Sequence, residues 1–226
     1  MKVCVIGLGY IGLPTAATLA LGKYKVVGVD INKKVIDAIY DGKNHCFEPE
    51  LEKILERALK SGNLRCTIEP EQADVFLITV PTPNTISQKA DLSAIHDAIF
   101  GIGPLLVEGN LIILESTSSV GTTENITAML QQIRPDLKLP VYETEGSDVD
   151  VHIAYCPERV LPGRILEELI TNDRIVGGVT ATCALKAEKF YSSFVEGNCI
   201  VTDARTAELC KLSENAFRDV NIAFAN

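Results

Sequence analysis

The sequence is poor in the features that would place it at a membrane, a nucleic acid or a metal. No apolar run reaches the ~18 residues needed to span a bilayer, and the chain enters a strand-like run at Val3 with no leader cleavage pattern. Cations are in short supply: 21 Lys and Arg stand against 30 Asp and Glu, a formal charge of −9. So acidic a chain offers no broad surface to nucleic acid or to an anionic bilayer, and an anionic ligand would need a local cationic pocket. The seven cysteines form no C-x-x-C pair and no ligand spacing with the three histidines. No metal is therefore expected, and the thiols read as reduced, in a cytoplasmic protein. Internal repeats and low-complexity tracts are missing too. What remains, 226 residues with 46% hydrophobic and 23% charged content, fits a globular chain of one generous domain or a domain plus part of another.

The most informative stretch comes first. Val3 to Ile6 is long enough for one buried strand, and Gly7, Gly9 and Gly12 follow at G-x-G-x-x-G spacing before a helix-forming run from Leu13 to Ala20. In that pattern the first glycine allows a tight turn, the second lets a pyrophosphate approach the backbone, and the third lets helix pack on strand. Free N–H groups at the helix start then face an anion. A second apolar run, Val26 to Val29, ends in Asp30, roughly the ~20 positions after the glycines at which a carboxylate meets the adenosine ribose. An acid there repels a 2′-phosphate and favours NAD over NADP, although Lys33 and Lys34 lie close by.

Strand-like and helix-like segments then alternate, the pattern of a doubly wound parallel α/β sheet of Rossmann type. Asn32 can cap a helix to Tyr40 that ends at Asp41-Gly42, and Leu51, Ile54, Leu55, Ala58 and Leu59 repeat at helical spacing before Ser61-Gly62-Asn63. Lys43 to Glu50 reads as a loop, Leu64 to Ile68 as a short strand and Leu92 to Ile102 as a helix. Val75 to Val80 and Leu111 to Leu114 read as central strands. Each opens into a loop at the ligand edge of the sheet, Pro81-Thr82-Pro83-Asn84 after one and Glu115 to Glu124 after the other. In the second loop, rich in hydroxyls, Thr123 can cap a helix over 125–133, leaving other hydroxyls to a cofactor. Arg134 to Asp150 reads as a surface excursion, Val151 to Tyr155 as a strand, and Ile175 to Gly178 and Cys199 to Val201 as strands around a helix over 182–194. A long helix over 206–226 closes the chain. At 100° per residue Lys211, Asn215, Arg218 and Ile222 share a stripe of roughly 60°, with Leu209, Leu212, Ala216, Val220 and Ala223 on a separate face expected to meet the core.

Taken together, these segments resemble the nucleotide-sugar 6-dehydrogenases, the UDP-glucose/GDP-mannose dehydrogenase family. The resemblance rests on Val5 to Pro14, Gly28 to Asn32, Val80 to Pro83, Ile113 to Thr117, Ala154 to Gly163 and Thr206 to Ala223. The form Glu158-Arg159-Val160-Leu161-Pro162-Gly163 resembles the N-acetylmannosamine branch. The family oxidises the C6 alcohol of a UDP-sugar to a carboxylate with two NAD+. Carried over position by position, the resemblance implies cofactor contacts at Tyr10, Ile11, Asp30, Thr82 and Thr117 beside the three glycines. It implies sugar-nucleotide contacts at Arg159 and Val160, a catalytic Lys211 with substrate-binding neighbours Asn215 and Arg218, and an acid–base carboxylate at Glu158. Asn215, one turn beyond Lys211, could donate to the same substrate oxygen.

The resemblance also implies an NAD-binding domain over 1–203 and, over 204–226, the start of a central helix that contributes to a homodimer. The family's nucleophilic G-x-x-C cysteine and its UDP-binding domain would lie beyond residue 226, and Cys199 does not match that cysteine. The expectation is a chain that binds NAD without completing the four-electron oxidation by itself. Two other classes share parts of the pattern: the β-hydroxyacid dehydrogenases, which have the glycine motif and a Lys-x-x-x-Asn pair but not the Pro-Glu-Arg-Val-Leu-Pro-Gly stretch, and a non-catalytic NAD-binding module.

Overall fold

The computed structural model describes residues 1–43, 46, 48–85, 89–142 and 148–226. Its short apolar runs become strands: β1 (Lys2–Ile6), β2 (Lys25–Val29), β3 (Leu64–Thr67), β4 (Val75–Ile78), β5 (Leu111–Leu114), β6 (His152–Tyr155), β7 (Arg174–Gly178) and β8 (Cys199–Asp203). They form one sheet in the order β3-β2-β1-β4-β5-β6-β7-β8. Between them run α1 (Gly12–Leu21), α2 (Lys33–Tyr40), α3 (Leu51–Lys60), α4 (Ser93–Ile102), α5 (Thr122–Ile133), α6 (Ile165–Thr171) and α7 (Ala181–Tyr191), and α8 (Ala204–Ala225) ends the chain.

Alternation along each strand divides the interior in two. Val3, Val5, Leu77 and Ile113 pack with residues of α1, α3 and α7 on one face. Cys4, Ile6, Phe76, Ile78, Ile112 and Leu114 pack with residues of α4 and α5 on the other. The central strands therefore need apolar residues at every position, which is why they read as unbroken runs. Each such side chain contributes about 1.5–3 kcal/mol by its burial.

From β3 to β6 the sheet is parallel, as the alternation of elements leads one to expect. β7 departs from it by running antiparallel to β6, with Ala154 opposite Gly178 and Tyr155 opposite Gly177. The reason lies in the connection: α6, seven residues long and too short to show a period in the sequence, packs on α1 instead of crossing back to start a parallel strand. Reversal brings the start of β7, Arg174, beside Glu158. It also ends β8 beside Gly178, so that α8 begins partway along the sheet and runs across β7 toward the ligand edge. Gly177 makes that crossing possible, because a Cβ there would lie 2.7 Å from Ala207 Cβ and 2.5 Å from Asp203 O.

The ends of the helices follow the sequence in part. Asn32 Oδ1 accepts the Lys34 N–H at 3.1 Å and caps α2, and Gly42 closes it at φ +74. The cap of α5 is a correction: Thr123 does not cap it, and the helix begins at Thr122. Glu208, from α8, reaches over instead, its carboxylate accepting the Gly121 N–H at 2.6 Å, the Thr123 N–H at 2.8 Å and the Thr123 hydroxyl at 2.6 Å. A second correction concerns the face of α8. Leu209 and Val220 are exposed and Leu212 only half-buried, whereas Ala204, Ala207 and Glu208 meet the core. The helix touches the sheet only through its first turns, so amphipathic spacing farther along is not matched by burial among the described residues. Positions 44, 45, 47 and 143–147, within the loop and excursion inferred above, lie outside those residues.

Candidate functional site: a dinucleotide cleft

The carboxyl ends of the parallel strands open onto a cleft of about 730 Å³, within the usual range for small-molecule sites. Its floor is the turn after β1. Gly7 has φ +94, and a Cβ on it would lie 2.9 Å from the Thr79 carbonyl oxygen. Gly12 has less room still: a Cβ would stand 1.8 Å from Gly7 O and 2.4 Å from Thr79 Oγ1. Thr79 fastens the turn from below, its hydroxyl donating to Gly7 O at 2.7 Å with Ile6 O 3.0 Å away. Gly9 differs from both, since a Cβ on it would meet none of the described residues within 4 Å. Packing among those residues does not require glycine there, which leaves the backbone open to the approach of a ligand. Among the described residues no side chain caps the start of α1, and no acid stands in its first turn, so its positive end is open to an anion.

Asp30 stands at the end of β2 with Oδ2 accepting the Leu8 N–H at 3.0 Å and Oδ1 the Asn32 N–H at 2.9 Å. These bonds hold the carboxylate against the glycine turn and fix its direction along the cleft wall, where a ribose diol can use its remaining lone pairs. Ile31, 95% exposed, Tyr10 and Ile11 border this end of the cleft. An open Gly9, an uncapped helix start and an oriented acid fit a dinucleotide.

The far end is built from loops after β4, β5 and β6 and from α8. Thr82 donates its hydroxyl to Thr117 O at 2.6 Å, tying two of the loops together. Glu158 presents its backbone carbonyl to Lys211 Nζ, while its carboxylate turns inward: Oε1 accepts the Arg159 N–H at 2.7 Å and Oε2 meets Arg174 Nη1 at 2.7 Å. Burial holds the Lys211 ammonium below its ordinary pKa, opposed by the nearby Glu158 and Glu214. The loop carrying Glu158 is anchored by Glu48, which accepts the Gly163 N–H at 3.0 Å and the Leu166 N–H at 3.3 Å.

Of the residues singled out in the sequence, Gly7, Gly9, Tyr10, Ile11, Asp30, Thr82, Thr117, Glu158, Val160 and Lys211 line this one cleft. Gly12 is buried beneath it. Arg159, Asn215 and Arg218 are not among its lining. Arg159 Nε donates to Glu214 at 3.0 Å, Asn215 is half-buried one turn past Lys211, and Arg218 is exposed beside Asp219. Sequence reasoning missed Thr79, Glu48, Arg174, Tyr191 and Glu208, whose partners lie far off in the chain. Glu115 was visible as the first residue after a central strand, but its burial was not.

A mostly parallel sheet with a glycine turn, an acid after the second strand and a lysine opposite them is the architecture of a nicotinamide-dinucleotide oxidoreductase. Comparison with known proteins narrows the class. The family model for the UDP-glucose/GDP-mannose dehydrogenase family, NAD binding domain, matches residues 1–195, and the chain belongs to that family, whose cofactor is NAD. The chain is 54% identical over 224 residues to an NDP-N-acetyl-D-galactosaminuronic acid dehydrogenase of Ralstonia nicotianae (99% of this chain, 52% of the relative). It is 51% identical over 224 residues to the UDP-N-acetyl-D-mannosamine dehydrogenase of Escherichia coli K12 (99% and 53%). Among solved structures, a UDP-D-ManNAc dehydrogenase from Pyrococcus horikoshii superposes with a TM-score of 0.91 at 43% identity, covering all of this chain and 52% of its own. The chain thus spans about half the length of the curated relatives it matches. Likeness to a 3-hydroxyisobutyrate dehydrogenase, at 15% identity and a TM-score of 0.62, shows a shared fold and nothing more.

Proposed function

We propose that this chain supplies the NAD-binding and hydride-transfer half of a UDP-sugar 6-dehydrogenase, with UDP-N-acetyl-D-mannosamine as the sugar nucleotide. The observation that carries the reading is the placement of Lys211 and Glu158 at one end of a cleft whose other end is the glycine turn and Asp30. When bound, NAD+ accepts the hydride released from the alcohol carbon. The protein must then take the hydroxyl proton and hold the oxygen. Lys211, with its ammonium destabilised by burial, has a larger neutral fraction than an exposed lysine and can accept that proton. In its protonated form it stabilises an alkoxide. Its bond to the Glu158 carbonyl sets the direction of the amine, and Asn215 stands one turn away to donate to the same oxygen. Glu158, paired with Arg174, maintains the field around the amine.

Gly7, Gly9 and Gly12 would receive the pyrophosphate and Asp30 the adenosine ribose. Tyr10 and Ile11 would border the adenosine end, and Thr82 and Thr117 the nicotinamide end. Arg159, Val160 and Arg218 would contact the sugar nucleotide. A homodimer through α8 would cover its exposed apolar face.

The 54% identity to the Ralstonia relative favours the galacto epimer as the second reading. NADH formation by the full-length protein, followed at the NADH absorbance band with UDP-N-acetyl-D-mannosamine, its galacto epimer and UDP-glucose, separates the readings. The manno reading requires the first sugar to be turned over about tenfold faster than either other, a margin of ~1.4 kcal/mol in transition-state binding. Retention of wild-type turnover by Lys211→Ala would remove the lysine from the mechanism.

A further inference from the structure

Behind the Lys211 end of the cleft lies a group of buried charges, of which the hydride-transfer scheme uses Glu158 and Arg174 but not Glu115. Glu115 leaves β5 at the cleft wall and is only 4% exposed. Its Oε1 accepts the Tyr191 hydroxyl at 2.5 Å, and its Oε2 has no partner among the described residues. Arg174, 2% exposed, donates to Glu158 Oε2 and to Leu169 O, stacks over the Tyr191 ring at 5.4 Å and leaves its Nε unpartnered among the described residues. Cys156 completes the group, with a fully buried thiol that burial pushes far above its ordinary range.

The charges do not balance. Two carboxylates, Glu115 and Glu158, share one guanidinium, and Glu158 holds it by a direct ion pair. Ionised Glu115 would be a second anion in the interior without a cation of its own, which is costly. Burial, reinforced by Glu158, pushes its carboxyl up to about 7 against the opposing pull of Arg174 and the Tyr191 hydroxyl. Lys211, which lines the same cleft, bonds the Glu158 carbonyl and does not pair with Glu115.

We propose that Glu115 is a proton-holding residue coupled to the charge of the bound cofactor: its carboxyl gives a proton to solvent when a cationic nicotinamide ring occupies the cleft end at Thr117 and Lys211, and keeps it when the ring is neutral. The inference rests on the cofactor direction proposed above, with the ribose at Asp30 and the pyrophosphate at Gly9. The balance is simple. The O–H bond of Glu115 breaks, the proton leaves for solvent, the carboxylate stays opposite the ring cation, and no electrons move. A nearby cation stabilises the carboxylate, so by linkage the oxidised cofactor binds more tightly as pH rises. The reduced cofactor brings no such cation, and burial keeps the carboxyl protonated. Oxidised and reduced cofactor would thus be discriminated by a proton held in the wall, away from both ligands' phosphates.

Calorimetric titration of the chain with NAD+ and with NADH at pH 6.5–7, each in two buffers of different ionisation enthalpy, counts the protons exchanged. The expected result is release of about half to three-quarters of a proton per NAD+ and none per NADH. The ratio of NADH to NAD+ dissociation constants should rise about tenfold between pH 6 and 8. Glu115→Gln, shown to be folded by its melting curve, should bind both forms at a pH-independent ratio and release no proton. Tyr191→Phe removes the hydrogen bond that favours the carboxylate and should move the release to higher pH, which serves as the test if the glutamine variant does not fold. Proton-neutral NAD+ binding by the wild-type chain, or proton release that survives Glu115→Gln, would overturn the inference while leaving the cofactor reading intact. Failure to bind either form would overturn both.

Discussion

The two ends of the cleft are made of different materials. At the glycine end the ligand surface is backbone: a turn with no room for side chains at Gly7 and Gly12, an open position at Gly9, and one acid held by two N–H groups. At the Lys211 end it is side chain, with polar and charged groups drawn from the loops after β5 and β6 and from β7, α7 and α8, and paired across the interior. The first kind of site is local and tolerates no insertion of atoms. The second is distributed and tolerates no loss of a partner. Variants should therefore fail in opposite ways at the two ends.

The largest effect is expected from Arg174→Met, which strands Glu158 without its cation. Unfolding in urea should show a loss of about 3–5 kcal/mol. Glu208→Ala removes three hydrogen bonds from the start of α5 and should cost about 2–3 kcal/mol, measured the same way. At the other end, Gly12→Ala forces a methyl against the Gly7 carbonyl and should cost about 1–3 kcal/mol, with NAD binding lost in the same titration. Gly9→Ala sharpens the contrast, because the added methyl meets no atom of the described residues. Stability should change by no more than about 0.5 kcal/mol, while the NAD dissociation constant rises about tenfold or more. Glu115 also leaves a signature in the pH dependence of stability. Glu115 binds its proton more tightly folded (about 7) than unfolded, where the ordinary value is 4.5. The folded state holds more protons across that window, so this contribution to stability falls as pH rises from about 4.5 to 7. Melting curves of Glu115→Gln should lack that component.

The same contrast explains what could be read from the sequence. Gly7, Gly9, Gly12 and Asp30 lie within one strand–turn–helix–strand unit, where spacing along the chain becomes spacing in the fold. Lys211 and Glu158 were legible through likeness to a family, although 53 positions separate them. Arg174 gave no signal, because its importance comes from β7 running backwards, and that reversal follows from where a seven-residue α6 packs. Leu209 and Val220 misled for the converse reason: periodicity describes one helix, and burial requires a neighbour. Glu208 reads in the sequence as an ordinary helical acid and proves to be the cap of a helix more than eighty positions away.

Glu208 also bears on where the cofactor domain can be divided. The matched family region stops at residue 195, and β8 ends at Asp203, so either looks like a natural place to cut. A cut at either point would leave the first turn of α5 without its carboxylate and the groove over Gly177 without Ala204 and Ala207. Limited proteolysis should therefore trim the helix back no farther than this clasp, making the first turns of α8 the last structural layer of the sheet they lead away from.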